Sequence, residues 1–507
     1  MNLDLERLVF RRQFLIGPQS FTPNSYWNVR PLLNGLILSH HCDLPVDIHE
    51  HGGKLIGILG RAYDASEPSK TQAQMAEELL VHSDSVHQVI RKTWPWAGRW
   101  VVLFQVSSAS YIFSDPAGLR QIFYSFHQNG PWVGSQPEII KQMCPLRYCS
   151  DSDFVAFITH PQFAQSECSW VGDHTLYDDC YHLLPNHYLD LVKKRAIRFF
   201  PDDQLESQEL PKVVAKASEI FRGIYRAVVH REGCVLQALT AGWDSRVLLA
   251  ASKEVSNHVE YFIDRHGVLQ ENHPDVKIPL YLADRLGLRF HVRDTRDILP
   301  GWFTGILVQN VSGARIIPKT RIIFGHFLRD ENRINLNGNT AEIARNAYDE
   351  YGLIPENRQL TVDELVNLFA YTGYSGIDYV RNQLQLWKQE LDERSLDTAR
   401  LLDFMYWEQR MGNWGAFFPA EQDIAIDEIA PFNCRSLLET LIAAPRELRT
   451  RPKWTLFREL IREMWPDALN VPIYGTSVKS FHQMLKDALR SSLPPWVIRG
   501  LKRLQRC

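Results

Sequence analysis

The first 200 residues consist largely of short runs in which apolar and polar residues alternate, with turn residues between the runs. Alternation with a period of two is typical of half-buried β-strands. Residues 99–105 and 110–114 predict one hairpin, and residues 121–126 and 132–135 predict a second pair of strands. The segment 115–118, which contains Pro116 and Gly118, is expected to form the turn between the pairs.

A polar, acidic segment at residues 199–211 separates this region from one with a different pattern. Beyond it, apolar runs of strand length alternate with segments of helical periodicity. We predict helices at residues 212–229, 246–254 and 274–286, and strands at residues 235–239, 259–264 and 289–293. Such alternation forms βαβ units and a parallel sheet, in which ligands bind at the carboxyl ends of the strands. From about residue 360 onward the pattern is mainly helical.

The turn after the first of these strands carries the strongest candidate chemistry. Residues 240–245 include Thr240, Asp244 and Ser245. Main-chain N–H groups at a helix start bind anions, hydroxyl groups add donors, and a carboxylate can hold Mg²⁺ between phosphate oxygens. The turn therefore predicts a pyrophosphate-binding site. The alternative is a plain strand–turn–helix connection whose hydroxyl groups have no function.

Composition narrows the choice of partners. The chain has 507 residues, 45% of them hydrophobic, which allows two or three domains and a large core. A net charge of −3 provides no field that would recruit nucleic acid, and no apolar run reaches the ~20 residues of a membrane span. Eight scattered cysteines form no C-x-x-C pair, and the start of the chain is acidic where a signal peptide would be basic. We expect a cytoplasmic protein with reduced thiols, without nucleic-acid or membrane partners.

Two histidine-rich segments near the start of the chain are candidate metal ligands. Residues 40–43 read His-His-Cys-Asp and residues 49–51 read His-Glu-His. Neither segment has the ligand spacing of a known kind of metal site. The pattern favours polar turns.

The segment 236–250 resembles the Ser-Gly-Gly-x-Asp-Ser loop of the asparagine-synthetase-like ATP pyrophosphatases, with Thr240 in place of the first Ser and Ala241 in place of the first Gly. The resemblance implies that Thr240, Ala241, Gly242, Asp244 and Ser245 bind ATP. It also implies that ATP is split between its α and β phosphates and that a substrate carboxylate becomes an acyl-adenylate.

The segment 334–348 is similar to a second signature loop of asparagine synthetases. Gly338 and Tyr348 have the family's separation, which implies that Gly338 belongs to the nucleotide site. Glu342 falls where the family has its second Mg²⁺-binding carboxylate, so Asp244 and Glu342 are the implied metal ligands. Asn339 stands at the family's catalytic glutamate, and β-lactam synthetases place a different residue there too. Asn339 is therefore a candidate catalytic residue, but the family's mechanism, in which a glutamate is thought to act as the base, cannot be carried over to it unchanged. The alternative for Glu342 is an exposed glutamate in the first turn of a helix.

Residues 453–466 and 478–481 are similar to the family's C-terminal pattern of a lysine followed by an aromatic residue. The resemblance implies that Lys479 is catalytic and stabilises charge on the adenylate, with Lys453 as the second choice. An ammonium acts there as a point charge against phosphate oxygens. The alternative is a surface lysine that precedes an aromatic anchor.

Residues 96–103 and 114–124 look like pieces of the family's glutaminase domain, which needs a cysteine directly after the initiator methionine. Residue 2 is Asn, so glutamine hydrolysis is not expected. The resemblance implies an α/β protein in two domains. Residues 1–205 would form a degenerate glutaminase-like αββα sandwich, and residues 206–507 a doubly wound parallel-sheet ATP-pyrophosphatase domain of the adenine nucleotide α-hydrolase type.

The resemblance implies an ATP- and Mg²⁺-dependent carbon–nitrogen ligase. It would adenylate a small-molecule or peptide carboxylate and transfer the acyl group to an amine, within one molecule or between two. A catalytically silent nucleotide-binding or scaffold protein is the main alternative, favoured by Ala241 and Asn339. Thiolation of tRNA is a third possibility, against which the absence of an extended basic surface argues. The oligomeric state is left open.

Overall fold

The computed structural model describes residues 4–127, 130–201, 205–316, 318–330, 332–348, 359–369, 374, 376–392, 394 and 396–473. The strands in these ranges are β1 Phe14–Gly17, β2 Trp27–Pro31, β3 Ile37–His41, β4 Val46–His51, β5 Lys54–Asp64, β6 Trp96–Val106, β7 Ala109–Ser114, β8 Phe123–His127, β9 Gly130–Gly134, β10 Tyr181–His182, β11 His187–Asp190, β12 Arg195–Arg198, β13 Val235–Ala238, β14 Val259–Asp264, β15 Phe290–Arg293, β16 Ile334–Leu336 and β17 Asp427–Ile429.

The helices in the same ranges are α1 Gln72–His82, α2 Val86–Lys92, α3 Pro137–Lys141, α4 Ser152–Thr159, α5 Pro161–Gln165, α6 Leu210–Glu232, α7 Trp243–Ala251, α8 Pro274–Leu286, α9 Gly301–Val311, α10 Thr320–Arg329, α11 Ala341–Ala344, α12 Val362–Leu368, α13 Asp378–Asp392, α14 Thr398–Phe404, α15 Phe417–Gln422, α16 Arg435–Ile442 and α17 Thr455–Met464. A π-helix spans Met405–Gly415 between α14 and α15. Short 3₁₀ helices lie at Leu5–Leu8, Leu33–Gly35, Lys253–His258, Arg446–Leu448 and Pro466–Leu469.

Two six-stranded antiparallel sheets form the N-terminal region, in the orders β10-β8-β9-β1-β3-β2 and β12-β11-β7-β6-β5-β4. Apolar side chains from both sheets, among them Leu38, Leu103 and Val133, share one fully buried cluster between the sheets. Helix α1 packs on β4 and β5, and α3 packs on β8 and β9. The layers agree with the predicted αββα order. The glutaminase-like character of this region stays a prediction.

The C-terminal region contains a parallel sheet of five strands in the order β15-β14-β13-β16-β17. The predicted strands at 235–239, 259–264 and 289–293 are confirmed as β13, β14 and β15. From β13 the chain adds strands outward on one side, then returns to add β16 and β17 on the other. Strand order therefore reverses between β13 and β16, which is where ligands bind in open α/β sheets.

Two sequence-based expectations need correction. Helix α7 begins at Trp243 rather than near Arg246, because Gly242 serves as its N-cap residue and the predicted loop already enters the helix. The histidines of residues 40–41 and 49–51 lie in strands β3 and β4 rather than in polar turns. Pairing of β3 with β1 and β2, and of β4 with β5, holds these polar side chains on sheets.

Buried ion pairs connect the sandwich to the parallel-sheet region. Arg99 on β6 contacts both carboxylate oxygens of Asp423 at 2.7 and 2.6 Å, and Arg120 contacts the same carboxylate at 3.0 Å. Arg61 on β5 contacts Asp427 on β17 at 3.0 Å. None of the helices in the described part of the chain combines the length and apolar character that a membrane crossing requires.

Candidate functional site

The loop between β13 and α7 is closed by its own two hydroxyl groups. The Oγ1 atom of Thr240 lies 3.0 Å from Oγ of Ser245, and the main-chain N–H of Gly242 donates to Thr240 Oγ1 at 3.3 Å. Ser245 Oγ donates to the Thr240 carbonyl at 3.1 Å. Gly242 offers no side-chain cap to α7. The first N–H groups of this helix are therefore available to an anion from outside the loop.

Ala241, which stands where the loop of asparagine-synthetase-like proteins has a glycine, is compatible with the loop geometry. Its backbone does not adopt a positive φ, so the position does not require glycine. The side chain is fully buried, and the N–H donates to Oδ1 of Asp275 at 3.0 Å. Asp275 lies in the first turn of α8 and was not singled out from the sequence. The predicted helix at 274–286, next to the sheet edge, was the signal that could have identified it.

The carboxylates of Asp244 and Glu342 meet beside this loop. Strands β13 and β16 are parallel neighbours, with Leu236 opposite Asn335, so the segments that follow them leave the same sheet edge. Nη2 of Arg345 lies 3.3 Å from Asp244 Oδ2 and 3.1 Å from Glu342 Oε1. Two residues separated by 98 positions thus share one guanidinium nitrogen.

Gly338 makes this approach possible. A Cβ atom at position 338 would lie 2.9 Å from Cβ of Asp244, closer than carbon atoms normally come. The absence of a side chain at Gly338 lets the loop after β16 come close to the first turn of α7. Glycine is needed here for space rather than for an unusual φ.

The electrostatics of the pair suit a cation. Burial raises the pKa of Asp244 to about 7; Arg345 opposes this shift and the Glu342 carboxylate adds to it. Oδ1 of Asp244 and Oε2 of Glu342 are buried and have no hydrogen-bond partner among the described residues. Two such carboxylate oxygens fit the preference of Mg²⁺ for hard oxygen ligands. Asp244 and Glu342 could therefore hold Mg²⁺, which would neutralise phosphate charge at the adjacent loop.

Arg345 is the residue of this site that sequence reasoning missed. It follows Glu342 by one helical turn, and its guanidinium lies over the ring of Trp454 at 5.2 Å from the centroid. An arginine three residues after a candidate metal ligand was the available signal, since such pairs share a helix face.

The side chain of Asn339 is hydrogen-bonded to the main chain around it. Its Nδ2 donates to the carbonyl of Gly415 at 2.9 Å, and its Oδ1 accepts from the N–H of Thr340 at 3.0 Å. An amide has no basic lone pair at neutral pH, so Asn339 cannot replace a glutamate base. Its contacts instead attach the loop after β16 to the end of the π-helix.

The candidate lysines are not brought to the loop by any described contact. Lys479 lies outside the described residues, and Lys453 is exposed. The last described segment lies against α7, where Arg246 donates to the carbonyls of Ala468 and Val471 at 2.6 and 2.9 Å. The role of Lys479 stays a prediction.

One group near the start of the chain brings potential metal ligands together. Ligand atoms of His41, Cys42 and Asp43 lie within 4.8 Å of one another. Arg7 and Arg11 both contact the Asp43 carboxylate at 2.7 Å. Two guanidinium groups on the one carboxylate disfavour a metal cation there.

No family model matches the chain, and no curated protein matches its sequence significantly. One solved structure that it resembles is an NH3-dependent NAD synthetase from Campylobacter jejuni in complex with the nitrate ion, with 16% identity and a TM-score of 0.22 over 42% of this chain and 97% of that one. Another is a glutamine-dependent NAD+ synthetase from Acinetobacter baumannii in complex with ADP, with 15% identity and a TM-score of 0.20 over 52% of this chain and 55% of that one. TM-scores this low do not establish a common fold, so these similarities add nothing to the geometry described above.

Proposed function

We propose that this protein is an ATP-dependent ligase that adenylates a carboxylate and transfers the acyl group to an amine. The observation that carries the proposal is the meeting of Asp244 and Glu342 beside an anion-accepting loop, where strand order reverses in the parallel sheet. Two partly buried carboxylates held against one guanidinium are costly unless a further cation or a function accounts for them. Mg²⁺ held there would shield the phosphate oxygens of ATP from these carboxylates.

The amine in this proposal does not come from glutamine. Glutaminase chemistry needs an activated thiolate, whose pKa is lowered by its surroundings. Burial instead raises the pKa of six of the seven described cysteines, which are Cys42, Cys144, Cys149, Cys168, Cys180 and Cys434. Asn2, on which the sequence-based argument rests, lies outside the described residues. Incubation with glutamine should therefore release no glutamate at an enzymatic rate of about 1 s⁻¹ or more.

Binding of ATP with and without Mg²⁺ tests the nucleotide site directly. Trp243, the first residue of α7, provides a fluorescence reporter beside the loop. Wild-type protein should bind ATP at least about tenfold more tightly with Mg²⁺ than with EDTA, the size expected for one charged contact. Asp244→Asn and Glu342→Gln should each remove most of that difference. Asp284→Asn, an exposed carboxylate on α8, is the control and should behave as wild type.

Equal ATP affinity with and without Mg²⁺ in the wild type would contradict the metal assignment. Absence of ATP binding under both conditions would overturn the proposed function as a whole. The first result would test the metal site alone, whereas the second would test the nucleotide site.

A nucleotide-binding protein without catalysis is the second candidate. It is favoured by the contacts of Asn339, whose amide bonds Gly415 and Thr340 where the family has a base. Exchange of labelled pyrophosphate into ATP, screened over carboxylic acids, separates the two candidates. The ligase should exchange pyrophosphate with at least one acid, whereas a silent protein would bind Mg-ATP and exchange with none.

A further inference from the structure

A second pocket lies between the N-terminal sandwich and the C-terminal helices, lined by none of the loop residues discussed above. It has a volume of about 500 Å³ and is formed by β10, β11, α13 and the π-helix. Cavities of this size, lined by apolar groups and a few placed polar groups, are typical of small-molecule sites. Its floor, its charge and its walls each restrict the ligand.

His182 provides an unused hydrogen-bond acceptor at the floor. Its side chain is 2% exposed, and Nδ1 lies 3.0 Å from Oδ1 of Asn413. Asn413 donates through Nδ2 to the carbonyl of Gly172, which orients Oδ1 towards the histidine. Burial lowers the pKa of His182 to about 4, so the ring is neutral with its proton on Nδ1. Nε2 is then an acceptor, and it is buried without a partner among the described residues.

Gln409 provides an unused donor at the same floor. Its side chain is fully buried, and Oε1 accepts the N–H of Gly172 at 2.8 Å. Nε2 has no partner within the described part of the chain. A buried donor and a buried acceptor left unpaired cost free energy unless a ligand or water satisfies them. A primary carboxamide carries a partner for each of them, a carbonyl that can accept from Gln409 and an N–H that can donate to His182.

The rim of the pocket is acidic. Asp173 and Glu390 line it, and none of its lining residues is a lysine or an arginine. The nearby Arg198 is shared by two carboxylates, Glu390 at 3.1 Å and Glu408 at 2.6 Å. Burial raises the pKa of Glu390, but hydrogen bonds from His187 and Arg198 outweigh this and bring the pKa to about 2. His174 and His187 also line the rim, 3.5 Å from Asp173 and 3.2 Å from Glu390, and burial raises the pKa of Asp173. Three carboxylates, those of Asp173, Glu390 and Glu408, still have Arg198 as their nearby arginine, so the rim favours a cation.

We propose that this pocket binds a small organic amine that also carries a primary carboxamide. The carboxamide bonds His182 and Gln409 at the floor, and the ammonium group lies beside Asp173 and Glu390 at the rim. Leu184, Leu386 and Trp387 provide an apolar wall for a short methylene chain. The site does not depend on ATP, so its test is independent of the proposed function.

Titration of the full chain with 3-aminopropanamide, monitored by isothermal calorimetry, tests the pocket. Propanamide lacks the ammonium group, propylamine lacks the amide, and propanoate carries the opposite charge. The bifunctional compound should bind saturably and at least about tenfold more tightly than propanamide or propylamine, the effect expected for one charged or one buried polar contact. Propanoate should show no saturable binding. Absence of binding by 3-aminopropanamide, or equal affinity for propanoate, would overturn the proposal.

Variants assign the binding to this pocket. Glu390→Gln and Asp173→Asn change exposed carboxylates, 54% and 42% exposed, so the fold should tolerate them. Each should weaken 3-aminopropanamide about tenfold and leave propanamide unchanged. Glu271→Gln, at a carboxylate 88% exposed and remote from the pocket lining, is the matched control. If both rim variants bind 3-aminopropanamide as the wild type does, the ligand lies elsewhere and the assignment is wrong.

Discussion

At the scale of single residues, Arg345 holds the two carboxylates of the candidate metal site together when no metal is bound. Its guanidinium contacts Asp244 and Glu342 through one nitrogen and stacks over Trp454. An arginine in this position keeps two carboxylates together until a stronger cation competes for them. The site is thus held in shape before any ligand binds, which reduces the cost of ordering it.

Arg345→Gln should make the fold more dependent on Mg²⁺. Removal of the guanidinium takes away the cation that contacts both carboxylates, although the charge of Arg451 still acts on Asp244. We expect this loss to destabilise the protein by about 1–3 kcal/mol. Mg²⁺ binding then offsets a larger repulsion, so it should raise the melting temperature of the variant more than that of the wild type. Differential scanning calorimetry with Mg²⁺ and with EDTA measures both. Arg296→Gln, which removes a surface pair with Asp294, is the control. Equal Mg²⁺ effects in all three proteins would contradict the role given to Arg345.

Lys479 carries the other prediction at this scale, taken from the sequence alone. Lys479→Ala should lower turnover about 100-fold and leave ATP affinity nearly intact, as for a contact made mainly in the transition state. Lys479→Arg should rescue only in part, because a planar guanidinium does not replace a compact ammonium. Lys216→Ala, at an exposed lysine on α6, is the matched control. Pyrophosphate exchange with an identified acid measures turnover, and unchanged exchange in Lys479→Ala would refute the C-terminal motif.

At the scale of elements, the site depends on how closely the loop after β16 approaches α7. Gly338→Ala would place a Cβ atom 2.9 Å from Cβ of Asp244. One of the two segments must move, so Mg-ATP binding should weaken at least about tenfold while far-UV circular dichroism stays unchanged. Gly305→Ala, in the open on α9, should keep ATP binding and stabilise the fold by about 0.5–1 kcal/mol. Wild-type affinity in Gly338→Ala would show that the close approach does not matter.

The sequence predicted those elements whose pattern is local. Strand β14 and helix α8 begin and end at the predicted residues, because β14 is an apolar run of strand length and a proline and a glycine mark the limits of α8. Strand β17 was missed, since three residues within a helical region show no period. The π-helix was missed as well, because buried polar groups such as Glu408 and Gln409 interrupt any apolar stripe.

The candidate sites show the same difference between what a local sequence pattern predicts and what only the folded chain brings together. The Thr240–Ser245 loop is contiguous in sequence and was identified from it, whereas Arg345 and Asp275 join it only through the fold. The second pocket combines Gly172, His182 and Gln409, which lie up to 237 positions apart. Its unpaired polar atoms result from tertiary packing, which no local pattern encodes.

At the scale of the whole molecule, Asp427 links acid stability to the contact between the two regions. Burial raises the pKa of Asp427, but Arg120, Arg61, Arg99 and Arg12 outweigh this and lower it to about 2. Because this value lies below the unfolded value of about 3.9, the stabilisation is complete above pH 4 and is lost as the pH falls through about 2. The free energy of unfolding, measured by urea unfolding between pH 2 and 6, should fall less steeply with acid in Asp427→Asn than in the wild type. If the two proteins lose stability in parallel as the pH falls, the role given to Asp427 is wrong.

Asp423 tests whether the ion pairs between the two regions determine the stability of the whole chain. Asp423→Ala removes the nearest carboxylate of the buried Arg99 and Arg120 and leaves them Asp427, which lies 3.6 Å from each. Breaking a buried ion pair by removing one partner costs up to about 3–5 kcal/mol. Asp84→Ala removes a surface partner of Lys54 that is 81% exposed, so it should cost less than about 1 kcal/mol. Urea unfolding followed by tryptophan fluorescence and by circular dichroism compares the two variants. Because Asp423 binds the sandwich to the parallel-sheet region, its loss should also separate the two transitions. A small loss equal to that of Asp84→Ala, with coincident transitions, would show that apolar packing alone holds the regions together.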